Sequence, residues 1–396
     1  MSGLAMMFLQ DPSLLEFQRA LQDATNNNNL KTLFSVQSIP KDNQMRVVLD
    51  THPYDPLLEV FADFFKDLQR GKHLEQYRFL SDYYLITMDG SGYFSSEKIY
   101  CDNCLTKKTR GGGISYYHQI LQSTLVYPGM KKVIPLAPEF IRNTDGRDKQ
   151  DCEINAGKRI IKKIRKAHRQ LKMLIVADSL FSKQPFMEEL KDQRFSFILV
   201  AKPKDHKVMM KHLYTLKELR GLSQLTITDG KGRVHLYEWE NNVPLNGNKN
   251  TVKVNYFEYS IIANSKVNYH NSWVTDIPIS RANVAQLVKA GRARWKIENE
   301  GFNTLKNHGY HLEHNFGHGK QYLSEAFFIL NLLAFFMHQI FELTDRLYRH
   351  CRAKFSARKE HFNNFRSVLR YTIFHSWEHL LVYIHSPPVQ EFNPSL

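Results

Sequence analysis

The chain has 396 residues, enough to bury a large core and to form more than one structural unit. Its residues are 42% hydrophobic and 23% charged, a composition that excludes wholesale disorder. The formal net charge of +15 favours a polyanionic partner, either nucleic acid or an anionic membrane surface. Four cysteines are too few for a disulfide scaffold, and no secretory signal is visible, so we expect a reducing cytoplasm.

The N-terminal residues 1–78 are predicted to be helical, because Phe61, Phe65 and Leu68 belong to an apolar stripe with spacings of three and four residues. The asparagine run 26–29 is predicted to be a loop. The apolar residues 4–9 stand almost at the start of the chain with no helix cap before them, which is typical of a helix begun in mid-element.

From residue 79 the pattern becomes that of an α/β protein. Strands are predicted at 83–88, 116–127, 133–136, 173–177 and 195–201, a basic helix at 153–171 and a short helix at 185–191. Residues 205–279 are mostly strand-like, with a hairpin turn at Asp229-Gly230, and predict a β insertion. The sequence thus divides into five parts: 1–78, 79–204, 205–279, 280–345 and 346–396.

The last two parts are predicted to be helical. Helical spacing resumes at 282–307 and again at 322–341, and the tail is basic and aromatic. The most apolar segment, Ala326 to Met337, is interrupted by Asn331 and is shorter than the roughly 20 apolar residues that span a bilayer. We therefore expect a buried helix there and no membrane partner.

Three acidic residues stand at informative points of this pattern. Asp89 and Asp178 each end an apolar run, and Glu298 lies in a stretch with helical spacing. Functional residues gather at the carboxyl ends of strands in open α/β sheets. Three converging carboxylates are hard oxygen ligands that suit Mg²⁺ or Mn²⁺, and a pair of such ions is the standard device for attack on a phosphodiester. The alternatives are an Asp89-Gly90 turn, an Asp178 cap and an ion pair between Glu298 and Arg294.

Basic and aromatic residues accompany the glutamate. Arg294 suits a phosphate, and Trp295 either stacks on an unpaired base or belongs to the core. The basic helix 153–171 is either a solvated face or a DNA contact. Its candidate DNA-binding residues are Lys162, Lys163 and Lys166.

In this combination the motifs resemble those of bacterial insertion-sequence transposases of the DDE type. The string Arg294-Trp295-Lys296-Ile297-Glu298 is similar to their glutamate signature, in which tyrosine, arginine, glutamate and lysine lie on a helix behind a β-rich insertion. Met88-Asp89-Gly90-Ser91 and Ala177-Asp178-Ser179 resemble the two aspartate motifs, in the same order. The resemblance covers roughly residues 30 to 345.

Two positions depart from that signature. Gly291 stands where the tyrosine is expected, three residues before Arg294. Leu305 stands where the lysine is expected, and Lys306 follows one place later. The three acidic residues match in spite of these departures.

The resemblance implies an RNase H-like catalytic core interrupted by the β insertion, with helical N- and C-terminal regions. It implies a transposase that cleaves DNA strands and transfers them, with two Mg²⁺ (or Mn²⁺) ions held by Asp89, Asp178 and Glu298, and with Arg294 and Lys306 in contact with DNA. The implied partners are double-stranded DNA with the terminal inverted repeats of the element and a second copy of the chain, in the cytoplasm of a bacterium at its nucleoid. Two alternatives remain: a DNA-binding protein of this fold without catalysis, and an RNase H-like nuclease that cuts without joining.

Such transposases carry a helical DNA-binding region ahead of the catalytic core. Residues 1–78 are the candidate for this region, and they are short. Together with the uncapped first helix, this predicts an upstream start codon or a copy weakened in recognising the element ends.

Cysteine and histidine give a weaker signal. Cys101 and Cys104 form a lone CxxC pair, with His118 and Cys152 as possible distant partners. Zinc sites in sequences show two such pairs at characteristic spacings, so buried or incidental thiols are the preferred interpretation.

A histidine cluster follows the glutamate helix. We interpret it as a polar loop near the DNA in preference to a metal site. Its members are His311, His314 and His318.

Overall fold

Helices form both ends of the chain and strands occupy its middle. The computed structural model describes residues 1–20, 24–38, 40–80, 82–143, 150–219 and 221–388. The helices are α1 Ser2–Leu9, α2 Leu14–Ala20, α3 Ala24–Phe34, α4 Asp42–Thr51, α5 Asp55–Arg70, α6 Glu153–Ala167, α7 Gln184–Asp192, α8 Lys207–Glu218, α9 Val284–Arg292, α10 Asn303–Asn307, α11 Leu323–Thr344, α12 Arg346–Ala353, α13 Arg358–Tyr371 and α14 Trp377–His385. The strands are β1 Arg78–Phe79, β2 Tyr83–Ser96, β3 Leu105–Lys108, β4 Ile114–Val126, β5 Ile134–Pro135, β6 Glu139–Ile141, β7 Met173–Ala177, β8 Ser196–Val200, β9 Ser223–Thr228, β10 Val234–Pro244, β11 Lys253–Ala263 and β12 Lys266–Thr275.

The chain divides into two compact units, each built from separate stretches of sequence. The first unit comprises Met1–His73, Gly92–His118 and Phe302–Leu396. The second unit comprises Leu74–Ser91 and Gln119–Gly301. The five-part division of the sequence stays an interpretation, and residues 389–396 of its last part lie outside the described residues.

A mixed sheet dominates the second unit. Its strand order is β6-β4-β2-β7-β8-β12-β11-β10-β9. β7 pairs in parallel with both β2 and β8, and all five of its residues are buried, as expected of a strand covered on both faces. Helix α6 precedes β7 and helix α7 follows it. The predicted α/β fold class, with helices at both ends of the chain, is confirmed.

The predicted β insertion is present, but it does not form a sheet of its own. Strands β9 to β12 pair antiparallel in order, and β12 then pairs with β8, where Trp273 lies opposite Val200. The insertion therefore extends the central sheet. The hairpin turn between β9 and β10 is built as predicted, because the Asp229 carboxylate accepts the backbone N–H groups of Lys231 and Arg233 at 2.9 and 3.0 Å.

The first unit packs its helices around α11. Helix α1 lies against α11, and it is apolar on all sides, so that Ala5, Met6 and Phe8 are at most 1% exposed. The asparagine run expected to be a loop lies inside α3, so that prediction is wrong. The reason is tertiary: the buried Asn29 amide donates to the carbonyls of Leu369 and Thr372 at 2.8 Å, which offsets the low helix propensity of asparagine.

Helix α11 is longer than the sequence indicated. It has 22 residues and a mean hydropathy of 1.7, so by length and composition alone it could cross a membrane. The expectation that the apolar segment is too short to span a bilayer is thereby corrected. In the structure, 72% of its apolar window is buried inside the protein, as for the core helix of a folded domain.

The start of α11 is capped by a distant residue. The Asp50 carboxylate of α4 accepts four successive backbone N–H groups, those of residues 320–323, at 2.9 to 3.1 Å. Burial acts in the opposite direction, but these N–H groups together hold the pKa of Asp50 below its usual value. The charged carboxylate thus supplies the capping that a residue next to α11 would ordinarily provide.

Candidate active site

The two aspartates lie side by side on neighbouring parallel strands of the second unit. The register of β2 and β7 pairs Thr87 with Val176, and continued for two residues it brings Asp89 beside Asp178. Neighbouring strands are about 4.8 Å apart, so the two carboxylates lie close together where β7 ends. The Asp178 carboxylate accepts the backbone N–H of Leu180 at 2.9 Å, which fixes its orientation where β7 ends.

The sequence suggested that Asp89 ends its strand, but in the structure it does not. β2 continues through Gly90 to Ser96, so the expected turn is absent from this segment, which the structure describes in full. The glycine serves a close approach instead: a Cβ on Gly90 would overlap the carboxylate of Glu153.

The glutamate lies on a π-helix. The predicted helix 282–307 is divided into α9, a tight turn, a π-helical segment Ile297–Phe302 and α10. Such wide turns are concentrated at functional sites, because they redirect side chains that a regular α-helix would place elsewhere. Glu298 is the second residue of this segment and is half-buried.

Arg294 connects the glutamate with the first aspartate. Its guanidinium donates to the Glu298 carboxylate at 2.8 Å and to the Asp89 carboxylate at 3.3 Å. The arginine side chain is only 10% exposed. The ion pair of Arg294 with Glu298, which the sequence allowed as an alternative to a functional role, is therefore present. It belongs to a cluster that includes Asp89 and draws residues together from β2 and the segment after α9.

The electrostatic environment of the cluster changes the pKa of Asp89. Its burial, together with the negative charges of Glu298 and Asp178, raises the pKa of Asp89 to about 7, against the opposing charge of Arg294. A buried carboxylate whose ionised form is destabilised in this way has a strong affinity for an additional cation. Three carboxylates that converge near the end of β7 are suitable oxygen ligands for a divalent metal.

Glu153 is a further acidic residue that the sequence reasoning missed. It is the first residue of α6, and Gln119 donates to its carboxylate at 2.5 Å. Burial and the charge of Asp178 raise the pKa of Glu153. No pattern in the sequence marks Glu153, because it opens a helix that is otherwise basic, and only the folded chain brings it near Asp178.

The departure at Gly291 has a packing reason. Gly291 is buried on α9 against the indole of Trp273, and a Cβ added there would lie 2.7 Å from the ring. Real Cβ atoms do not approach other atoms so closely. The tyrosine of the signature cannot occupy this position unless Trp273 moves.

The predicted DNA-contacting residues occupy different environments. Trp295 is 48% exposed, and the Arg294 guanidinium lies 4.5 Å from its ring centre. Lys162 and Lys163 are exposed on α6 and pair with Glu189 and Glu139, and Lys166 is exposed on the same helix. Their contacts with DNA stay predictions.

Lys306 belongs to the first unit. It lies on α10 and forms an ion pair with Glu313 at 2.8 Å. Its expected DNA contact also stays a prediction.

Comparison with known proteins gives the family. The family model described as the transposase DDE domain matches residues 124–337, more than half of the chain. The chain therefore belongs to the transposase DDE domain family, and it is a DDE transposase. The matched region includes Asp178 and Glu298 and begins after Asp89. DDE transposases generally use divalent metal ions, in agreement with the carboxylates described above.

The solved cryo-EM structure of a piggyBac transposase synaptic complex with hairpin DNA is similar at 11% sequence identity, covering 98% of this chain and 82% of that chain, with a TM-score of 0.39. A likeness at this level gives no correspondence between individual residues. No curated protein matches the sequence.

Proposed function

We propose that this transposase cleaves and joins DNA strands at the ends of a bacterial insertion sequence, and that Asp89, Asp178 and Glu298 hold its metal ions. The observation that supports this most directly is the meeting of Asp89 with both Asp178 and Glu298 near the end of β7, although 209 positions separate the first residue from the last. Structural stability does not require like charges to be gathered in this way, since their mutual repulsion is costly.

The bound ions, two of Mg²⁺ or Mn²⁺, would activate a water or 3′-hydroxyl nucleophile and stabilise the leaving oxygen. Asp89 and Asp178 would contribute oxygens from neighbouring strands, and Glu298 would contribute an oxygen from the π-helix. Glu153 would add negative charge beside Asp178 and so strengthen cation binding.

Arg294 would act as the internal counter-charge of the site. Its guanidinium pairs with oxygens of both Asp89 and Glu298, which a metal ligand set would share or replace. An arginine released from one of these carboxylates would be placed to contact a DNA phosphate, which is the role that the sequence suggested for it.

The exposed Trp295 suits stacking on an unpaired base, and the lysines of α6 suit phosphate contacts. We propose the terminal inverted repeats of the element in double-stranded DNA as the substrate, a homodimer on that DNA as the active form, and the bacterial cytoplasm at the nucleoid as the place of action. Residues 1–78 would contribute to DNA binding.

Three single substitutions test the assignment: Asp89→Asn, Asp178→Asn and Glu298→Gln. Each keeps the size of the side chain and removes one anionic ligand, so each should reduce strand cleavage in Mg²⁺ to background while DNA binding persists. The substrate is supercoiled plasmid that carries the DNA flanking the coding region, and gel analysis separates nicked, linear and joined products.

Glu300→Gln is the matched control. Glu300 lies in the same π-helical segment but pairs with Lys296 at 3.8 Å, and its loss should leave cleavage intact. Wild-type activity in all three site variants would overturn the assignment. Cleavage without any joined product would favour the nuclease alternative, and DNA binding without cleavage by the wild type would favour the non-catalytic one.

A further inference from the structure

Four potential metal ligands meet inside the first unit. The Sγ atoms of Cys101 and Cys104 and one ring nitrogen each of His118 and His318 all lie within 4.8 Å of one another. Three of the four residues are buried. Cys101 and Cys104 flank the turn before β3, His118 lies on β4, and His318 lies in the loop before α11.

The separations agree with a single tetrahedral ion. Zinc binds cysteine sulfur at about 2.3 Å and histidine nitrogen at about 2.0–2.1 Å, which gives tetrahedral edges of about 3.8 Å for S–S, 3.6 Å for S–N and 3.3 Å for N–N. The two sulfurs are 3.8 Å apart, and the two Nε2 atoms are 3.1 Å apart. The Nε2 atom of His118 lies 3.6 Å from the Cys101 sulfur and 3.5 Å from the Cys104 sulfur, and that of His318 lies 3.5 Å from the Cys104 sulfur.

Neighbouring groups orient the ligands as zinc sites require. The Nδ1 atom of His318 lies 2.9 Å from the carbonyl oxygen of Gly319, and this hydrogen bond places the proton on Nδ1 and leaves Nε2 free for a metal. The backbone N–H of Cys101 points to the Cys104 sulfur at 3.4 Å, a contact that favours a thiolate. The ring of Tyr93 stacks on that of His118, with 5.6 Å between the ring centres, and helps to bury it.

Other occupants fit less well. In a Rieske iron–sulfur cluster the two cysteines and the two histidines bind different irons. Here the Nε2 atom of His118 is within 3.6 Å of both sulfurs, so all four ligands surround one point. A disulfide between Cys101 and Cys104 would leave both imidazoles without their sulfur partners, and both cysteines are free.

We propose that Cys101, Cys104, His118 and His318 bind one structural Zn²⁺ ion. A closed set of four protein ligands with two sulfurs and two nitrogens is the usual composition of such a site, and it leaves no open position for catalysis. The proposal departs from the preferred interpretation of the cysteines as buried or incidental thiols. It is independent of the proposed function, because its ligands and the DDE carboxylates are different residues.

The ion would join parts of the first unit that are distant in sequence. His318 is 200 residues away from His118, and its loop carries glycines with positive φ on either side of it, Gly317 and Gly319. A second link is already present, since the Asn103 amide donates to the carbonyl of Gln321 at 3.3 Å. Zinc would therefore fix the loop that leads into α11.

The test uses the full chain, purified without a histidine tag and without chelators. Metal content measured by mass spectrometry should be about one zinc per chain, and replacement by Co²⁺ should give the visible absorption of a tetrahedral thiolate site. Cys104→Ser and His318→Gln should each lose most of the zinc. His318→Cys should retain it, because three cysteines and one histidine also form a structural zinc site.

Cys152→Ser is the matched control. Cys152 is exposed, lies outside the cluster, and should not affect the zinc content. Retention of zinc by His318→Cys excludes a general unfolding effect at that position. A wild-type chain that carries no zinc and gives no tetrahedral cobalt spectrum would overturn the proposal, as would full zinc content in Cys104→Ser. Neither result depends on DNA cleavage, so each can be distinguished from a failure of the proposed function.

Discussion

The ionised form of Asp89 should lower the folding stability of the protein when no metal ion is bound. Burial and the neighbouring carboxylates raise its pKa from 3.8 to about 7, a difference of about three pKa units. Each unit corresponds to about 1.36 kcal/mol, so the charged carboxylate destabilises the folded state by about 4 kcal/mol relative to the unfolded chain.

The pH dependence of this effect has a definite sign. Because the pKa of Asp89 is higher in the folded state than in the unfolded chain, the destabilisation is absent below about pH 4, grows between pH 4 and pH 7, and is constant above pH 7. Asp89→Asn removes the ionisation and keeps the shape. The variant should therefore gain stability over the wild type by about 1.4 kcal/mol per pH unit up to pH 7, and then no further.

Thermal unfolding in EDTA from pH 5 to pH 8.5 measures this difference. For a domain of about 150–250 residues each kcal/mol corresponds to about 2–4 °C, so the gain in midpoint at pH 8 should be about 8–16 °C. Mg²⁺ should raise the midpoint of the wild type and not that of Asp89→Asn, because only the wild type keeps the full ligand set. Asp82→Asn, at an exposed position just before β2, is the control for the loss of a carboxylate outside the site. A difference that stays constant from pH 5 to pH 8 would refute this account of the Asp89 site.

Two further predictions concern packing and DNA contact. Gly291→Ala should lower the stability of the protein by about 1–3 kcal/mol, because the new methyl group meets Trp273, whereas alanine at a helical glycine ordinarily stabilises. The comparison is Gly301→Ala in thermal unfolding, since the new Cβ there meets only a side-chain atom 3.9 Å away; equal midpoints for the two variants would contradict the packing argument. Replacing the three lysines of α6 by glutamine should reduce the slope of log K for DNA binding against log salt by up to about 2.7. Replacing them by arginine should preserve the slope. An unchanged slope in the glutamine variant would mean that α6 faces solvent and does not contact DNA. These lysines are Lys162, Lys163 and Lys166.

Much of the second unit follows from local sequence. The apolar run 173–177 predicts a buried strand with Asp178 at its end, and both are present. The four-residue spacing of Arg294 and Glu298 predicts their pairing. The π-helical segment that carries Glu298 was not predictable, because α- and π-helical turns begin from the same apolar spacing and only tertiary packing selects between them.

Other features depend on contacts between distant residues. Glu153 reaches the aspartates only because α6 leads into β7, and Gly90 gives no sign of the close approach that it permits. The CxxC pair lacked a second pair in sequence, because His118 and His318 are 200 residues apart. The apolar residues 4–9 form part of α1, and their burial against α11 was not visible in the sequence.

The pairing of α1 with α11 also sets an order of events during synthesis. The second unit has all of its residues once position 301 has been made, whereas the first unit requires α11 and the helices after it. At about 5–20 residues per second, the ribosome needs about 15–60 s to travel from the end of α1 to the start of α11. During that interval this apolar helix of eight residues lacks its principal packing partner, although α3 is already present. We therefore expect nascent chains of this protein to engage chaperones through residues 2–9, and to release them when α11 emerges and Asp50 closes its first turn.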